Sequence, residues 1–185
     1  MIVVENLVKK YGGHLAVDHL SFRVEPGKIY GFLGPNGAGK STTMNIMTGY
    51  IAPTEGSVKI NGYDIMKEAE EAKKCIGYLP EVPPLYQDMT VSEYLTFVAR
   101  LKKIPGDVRK KQIEEVMALT MPSDMGGRLI KNLSKGYRQR VGLAQAVLGY
   151  PEVIILDEPT AGLDPKQIIE IRDLIKKLGE NHTVI

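Results

Sequence analysis

Residues 34–41 read Gly34-Pro35-Asn36-Gly37-Ala38-Gly39-Lys40-Ser41, and the apolar run Ile29-Tyr30-Gly31-Phe32-Leu33 leads directly into them. The spacing is that of a phosphate-binding loop, G-x-x-x-x-G-K-S/T. Glycines let the backbone curl so that consecutive N–H groups point inward at an anion. A helix beginning at Lys40 aims the positive end of its dipole at the same place. Lys40 can then set its ammonium on the β- and γ-phosphates of a nucleotide such as ATP, and Ser41 can offer its hydroxyl to Mg²⁺. A structural glycine turn followed by a surface lysine has the same letters. The strand before and the helix after are the context a phosphate loop requires.

Working outward, Met1 to Leu7 and Leu20 to Val24 read as strands, the second ending in the turn Glu25-Pro26-Gly27-Lys28. Ile29 to Leu33 has the short, wholly apolar character of a strand buried in a parallel sheet. The helix from Lys40 is expected to stop near Gly49. Ser57 to Ile60, set between Pro53-Thr54-Glu55-Gly56 and Asn61-Gly62, reads as part of a hairpin. The middle changes character. Thr90 and Glu93 have capping-box spacing, and Val91, Tyr94, Leu95, Val98 and Leu101 follow with helical periodicity. Further helices are expected from Asp107 to about Leu119 and from about Gly136 to Leu148, separated by Pro122 and Gly126-Gly127. Val153 to Leu156 is a second apolar run of buried-strand type. This predicts an α/β core with a β layer over 1–85 and 149–185, and a helical insertion over 86–148.

Composition narrows the class. At 185 residues the chain is about one domain. Lys+Arg 24 against Asp+Glu 22 leaves a net charge of +2, so no strong field favours nucleic acid, and none is expected as a partner. No apolar run approaches the roughly 20 residues of a membrane-spanning helix, and no signal-peptide pattern opens the chain. Cys75, being single, excludes an internal disulfide framework and fits a reducing cytoplasm. It reads as a small buried hydrophobe. The basic residues Lys102, Lys103, Arg109, Lys110 and Lys111 read as a solvated helix end, and the eight methionines as core filler.

A second element completes the chemistry. Val153-Ile154-Ile155-Leu156 ends in Asp157-Glu158. An apolar strand ending in Asp, paired with a phosphate loop, supplies a carboxylate for hydrated Mg²⁺. Glu158, one residue on, is suited to orient or deprotonate an attacking water. Alone, the two carboxylates would read as a helix cap or solvated corner.

Together these motifs resemble the ATP-binding subunit of ABC transporters, along essentially the whole chain. Leu133-Ser134-Lys135-Gly136-Tyr137-Arg138-Gln139-Arg140 resembles the family's L-S-G-G-Q signature, with Lys135 and Tyr137 departing from its commonest form. Taken alone, Leu133-Ser134 reads equally well as an ordinary helix N-cap. Asp157-Glu158-Pro159-Thr160-Ala161-Gly162-Leu163-Asp164-Pro165 matches the magnesium strand and the loop after it. Ile76-Gly77-Tyr78-Leu79-Pro80-Glu81 matches a segment that usually ends in Gln.

The resemblance implies a RecA-like phosphate-loop core with a small antiparallel β subdomain and an inserted helical subdomain. It implies ATP on Gly34, Pro35, Asn36, Gly37, Ala38, Gly39, Lys40, Ser41 and Thr42, with Tyr11 stacked on adenine. Taken alone, Tyr11 also reads as a half-buried strand-end tyrosine. Mg²⁺ would be held by Ser41, Asp157 and Glu81. Glu158 would be catalytic, Ser134 and Gly136 would touch a γ-phosphate held by a second subunit, and Asp164 would lie at the dimer interface. The implied partners are an integral membrane permease and a second copy of the chain or a paralogous ATP-binding subunit, on the inner face of the membrane. Glu81 in place of Gln resembles a subset with exporter-type permeases. The family's switch histidine would follow His182-Thr183-Val184-Ile185, so the chain is expected to be C-terminally incomplete, with turnover in doubt. His182, His14 and His19 are expected to be structural, His182 in a surface loop. The rival reading is a non-transport ATPase switch of the same superfamily acting on ribosomes or DNA. A small-molecule kinase would explain neither the signature nor residues 157–164.

Overall fold

The computed structural model describes residues 1–122 and 124–185. Strands β1 (Ile2–Tyr11) and β2 (His14–Val24) pair antiparallel and turn at Gly12-Gly13, where Gly12 has φ 57°. β1 pairs on its other side with β3 (Glu55–Ile60), and β3 with the short β4 (Tyr63–Asp64), giving the sheet order β2-β1-β3-β4. The β3–β4 turn is Asn61-Gly62, with φ 51° and 91°. Two left-handed residues in succession suit the twist of the flanking strands, which is why Asn-Gly stands there.

The second sheet is parallel, in the order β5 (Ile76–Leu79), β6 (Val153–Leu156), β7 (Thr183–Val184). Helix α1 (Lys40–Met47) lies between β2 and β3 in sequence, and α2 (Ala69–Lys74) precedes β5. Parallel strands need long crossovers. The β5–β6 crossover carries α3 (Val91–Leu101), α4 (Gly106–Thr120) and α5 (Lys135–Val147); the β6–β7 crossover is α6 (Pro165–Leu178).

The core has two parts that share β6. Val153 and Ile155 face a cluster with Ile2, Val4, Leu7, Met44, Ile46 and Ile60, beneath the antiparallel sheet. Ile154 and Leu156 face the cluster of Leu95, Val141, Leu143, Ile171 and Leu174 among the helices. Side chains alternate along a strand, so an all-apolar strand can serve both sides. Each such side chain contributes about 1.5–3 kcal/mol on burial.

Several expectations need correction. Ile29 to Leu33 is not a buried strand: it makes only an isolated parallel bridge from Ile29 to Val184, and Leu33 is 93% exposed. The run borders the two-residue β7, with Tyr30 N donating to Val184 O and Val184 N to Lys28 O, and no described strand pairs its other edge. His182 is buried, at 8% exposure, and its Nδ1 lies 2.6 Å from the Pro151 carbonyl oxygen. A carbonyl only accepts, so Nδ1 carries the proton, and the ring is a strut between the β5–β6 crossover and β7. Neither α2 nor α6 was foreseen. α2 is a six-residue run rich in charge, and α6 shows its start only through the N-cap Asp164 and Pro165 at the first helical position. Cys75 is part-buried rather than buried, and burial pushes its thiol pKa up.

Candidate functional site

The carboxyl ends of β5 and β6 and the start of α1 meet at one edge of the parallel sheet, where α/β folds place ligands. The loop from Gly34 to Gly39 wraps this edge. Ala38 N donates to Pro35 O at 3.2 Å, and Gly37 and Gly39 have φ 83° and 81°. A Cβ on Gly39 would collide with the Ala16 carbonyl oxygen, and one on Gly34 would lie 3.2 Å from the Ala38 Cβ. Gly39 is therefore demanded both by backbone angle and by close packing against β2, and Gly37 by its angle alone.

α1 opens with Gly39 as N-cap and no side-chain cap. Its first amides are left without intrahelical partners and point at the loop, which makes the helix end a ready anion seat. Lys40 Nζ donates to Gly34 O (2.8 Å) and Pro35 O (3.0 Å), folding its charge back onto the loop's own carbonyls. The Ser41 hydroxyl donates to Asp157 Oδ1 at 3.1 Å, across 116 residues of sequence. Asp157 is buried, and its N–H donates to Leu79 O, which anchors the end of β6 to the end of β5. Tyr78, also on β5, donates its hydroxyl to Asn45 Oδ1 on α1 at 3.1 Å; burial pushes that phenol up to about 12.

Tyr11, Asn36, Gly37, Gly39, Lys40, Ser41, Thr42, Glu81 and Glu158 all line one cleft of about 500 Å³. Glu158 has φ 46°, a left-handed angle that costs a non-glycine residue about 1–3 kcal/mol and is typical of functional sites. The hydroxyl–carboxylate pair of Ser41 and Asp157 is a hard-oxygen donor set. Among the described residues no group of three His, Cys, Asp or Glu side chains could hold a metal by itself. Such a site fits Mg²⁺, which keeps its waters and takes few protein ligands, and does not fit a zinc or calcium cage.

Ser134 and Gly136 stand apart from this cleft. Ser134 caps α5, its Oγ accepting from Tyr137 N at 3.4 Å. Gly136 is pressed against α6: a Cβ there would lie 2.7 Å from the Gln167 carboxamide. The Lys135 ammonium likewise rests on Gly162 (φ 65°), and Arg140 pairs with Glu170 at 2.5 Å. Asp164 caps α6, accepting from Gln167 N at 2.9 Å. Residues 135–140 and 162–170 are thus packed along one seam, and none of them lines the cleft of the chain's own phosphate loop.

Two cleft residues were missed from sequence, His14 and Ala16. His14 lines the cleft beside Tyr11, Ala16 and Lys40. The available signal was Tyr11-Gly12-Gly13-His14: a two-residue glycine turn sets residues 11 and 14 opposite each other, on the same face of the hairpin.

The family model described as "ABC transporter" matches residues 17–161. The chain belongs to that family. The bacitracin transport ATP-binding protein BcrA of Bacillus licheniformis is 42% identical over all of this ABC chain and 59% of its own length. The linearmycin resistance ATP-binding protein LnrL of Bacillus subtilis is 35% identical over 97% of the chain and 58% of its own length. The chain therefore spans somewhat under two thirds of these curated relatives. Among solved structures, cbiO1 of Clostridium perfringens, part of the ABC transporter complex cbiONQ, superposes with TM-score 0.85 at 30% identity, over 99% of this chain and 76% of its own. The dimeric ATP-binding cassette MJ0796, bound to ADP and Pi, superposes with TM-score 0.84 at 29% identity, covering all of this chain and 86% of its own. The fold is that of the ABC ATP-binding subunit: one antiparallel sheet, one parallel sheet and a set of helices inserted between β5 and β6. No described helix is long and apolar enough to cross a membrane.

Proposed function

We propose that this chain binds Mg-ATP in the cleft above α1 and hydrolyses it to drive an ABC transporter of exporter type. The observation that carries the reading is the Ser41–Asp157 hydrogen bond, which joins the phosphate loop to the end of β6 and brings together two oxygen donors that would suit Mg²⁺. Residues 34–39 and the free amides of α1 cradle the phosphates, with Thr42 on the cleft wall. Lys40 swings from the carbonyls of Gly34 and Pro35 to the β- and γ-phosphates, a move from neutral to charged acceptors that favours the bound form. Ser41, Asp157 and Glu81 would hold Mg²⁺, which would supply charge neutralisation at the transferred phosphoryl group. Glu158 accepts a proton from, or orients, the attacking water. Tyr11 takes the adenine.

Two copies pair head to tail, so that Ser134 and Gly136 of one close over the nucleotide of the other. This agrees with their position outside the chain's own cleft and with the dimeric state of the MJ0796 cassette. In this reading residues 1–85 and 149–185 form the nucleotide-binding core and 86–148 the helical unit that carries the signature. A membrane permease receives the motion from the cytoplasmic side. Export is favoured by Glu81 and by relatives whose names are bacitracin transport and linearmycin resistance.

Equilibrium binding of Mg-ATP tests the reading. The chain should bind, and Lys40→Ala should weaken binding about 10- to 100-fold, as expected for a lost charge-assisted contact. Glu158→Gln should retain binding while abolishing any turnover. Affinity indifferent to Lys40 sinks the proposal.

A further inference from the structure

The base end of the cleft carries a histidine to which the nucleotide reading gives no role. Tyr11 and His14 are paired residues of the β1–β2 ladder, flanking the Gly12-Gly13 turn. Directly opposed residues of an antiparallel pair point to the same face, with Cβ atoms about 4.5–5.5 Å apart. Both side chains line the cleft, and both are exposed, Tyr11 at 47%. Nothing lies within 4 Å of where a Cβ on either turn glycine would stand, so the turn between the two residues is itself uncovered. Above the Tyr11 ring lies the Lys9 ammonium, 5.1 Å from the centroid and tied to the Ala52 carbonyl at 2.7 Å. That leaves an incoming base the free side of the phenol ring and the neighbouring imidazole.

We infer that His14 is a specificity-determining residue of the cleft: with Tyr11 it forms a two-ring platform whose breadth suits a fused purine and exceeds a pyrimidine. This rests on the nucleotide reading and deepens it. A single-ring base seated on Tyr11 gains nothing from the second ring, whereas a purine reaches both. Base–aromatic contact is sequence-tolerant in itself, since every base has a π-face. Discrimination therefore has to come from the platform's extent. In the proposed reading the phosphates sit on Gly37, Lys40 and Ser41, which are none of the platform residues.

The test measures dissociation constants of the magnesium complexes of ATP, CTP and inorganic tripolyphosphate for the wild-type chain, His14→Ala and His14→Phe. His14→Ala should weaken ATP about fivefold, the lower end of what one base–aromatic contact contributes, and leave CTP and tripolyphosphate within about twofold. His14→Phe restores a ring without the ring nitrogens and should return ATP to near the wild-type value. Equal weakening of all three ligands, no weakening of ATP, or failure of His14→Phe to restore it would each overturn the inference. Circular dichroism of each variant separates these results from misfolding. If the wild-type chain binds neither ATP nor tripolyphosphate, the nucleotide reading itself has failed, which is a different result.

Discussion

At the start of α3, Thr90 Oγ1 accepts from Glu93 N at 3.3 Å while Glu93 Oε2 accepts from Thr90 N at 2.8 Å, so the helix closes its own end. Those hydrogen bonds also hold the Glu93 carboxyl below its ordinary pKa. At the start of α1 no side chain does this, and Gly39 leaves the first amides open. The same orphan donors are spent internally in one helix and left without a side-chain cap in the other. The starts of α6 and α5 lie between these extremes, with Asp164 capping at 2.9 Å and Ser134 at 3.4 Å. The series grades helix ends from purely structural to open. The signature end of α5, proposed to meet a phosphate of the second copy, is the loosest of the capped three.

Substitutions can break this contrast. The largest effect is expected at α1. Gly39→Ala forces a left-handed residue against the Ala16 carbonyl, and should cost about 2–3 kcal/mol in urea denaturation as well as nucleotide affinity. Thr90→Ala should cost about 1 kcal/mol in the same measurement and leave Mg-ATP affinity unchanged, because its cap serves the fold alone. Ser134→Ala should cost less, about 0.5 kcal/mol, because its hydroxyl makes one capping bond where the Thr90 hydroxyl makes two. If Ser134→Ala proves as destabilising as Thr90→Ala, the grading fails. The smallest effect lies at the far end of α5. Lys102 has an exposed stem, but its ammonium turns inward to the carbonyls of Gln145, Ala146 and Leu148. Burial pulls its pKa down to about 8 from an ordinary 10.5. Between those values the unfolded chain holds a proton that the folded chain has released, so this group's contribution to stability rises with pH from about 8 to 10.5. Thermal melts at pH 8 and pH 10 should show that rise in the wild type and lose it in Lys102→Met.

The parts legible in sequence were those whose physics is local. The glycine spacing of 34–39, the Thr90/Glu93 box and the apolar run 153–156 each carry their own explanation, and α1, α3 and β6 stand where they were expected. The antiparallel β3–β4 hairpin likewise followed from Asn61-Gly62. What escaped depended on distant partners. Ile29 to Leu33 has the letters of a buried strand, but burial requires neighbours on both edges, and among the described residues only β7 is beside it. His182 is indistinguishable in sequence from a loop histidine until Pro151, 31 residues away, is folded against it. His14 became part of the cleft only because the hairpin brings its tip to the phosphate loop. The hydrogen bond from Ser41 to Asp157 joins two motifs that were each legible alone, but the contact itself belongs to the fold.

One consequence follows from β6 serving both halves of the interior. Its odd residues belong to the antiparallel side and its even residues to the helical side, within a span of four. Neither half can come apart while keeping that strand, so the two have no separate melting points to lose. The unit of unfolding is the whole chain, and the amides of Val153, Ile154, Ile155 and Leu156 should be among the last to take up deuterium from solvent. Strand β5 adds to the tie, with Leu79 on the helical side and Ile76 and Tyr78 on the other.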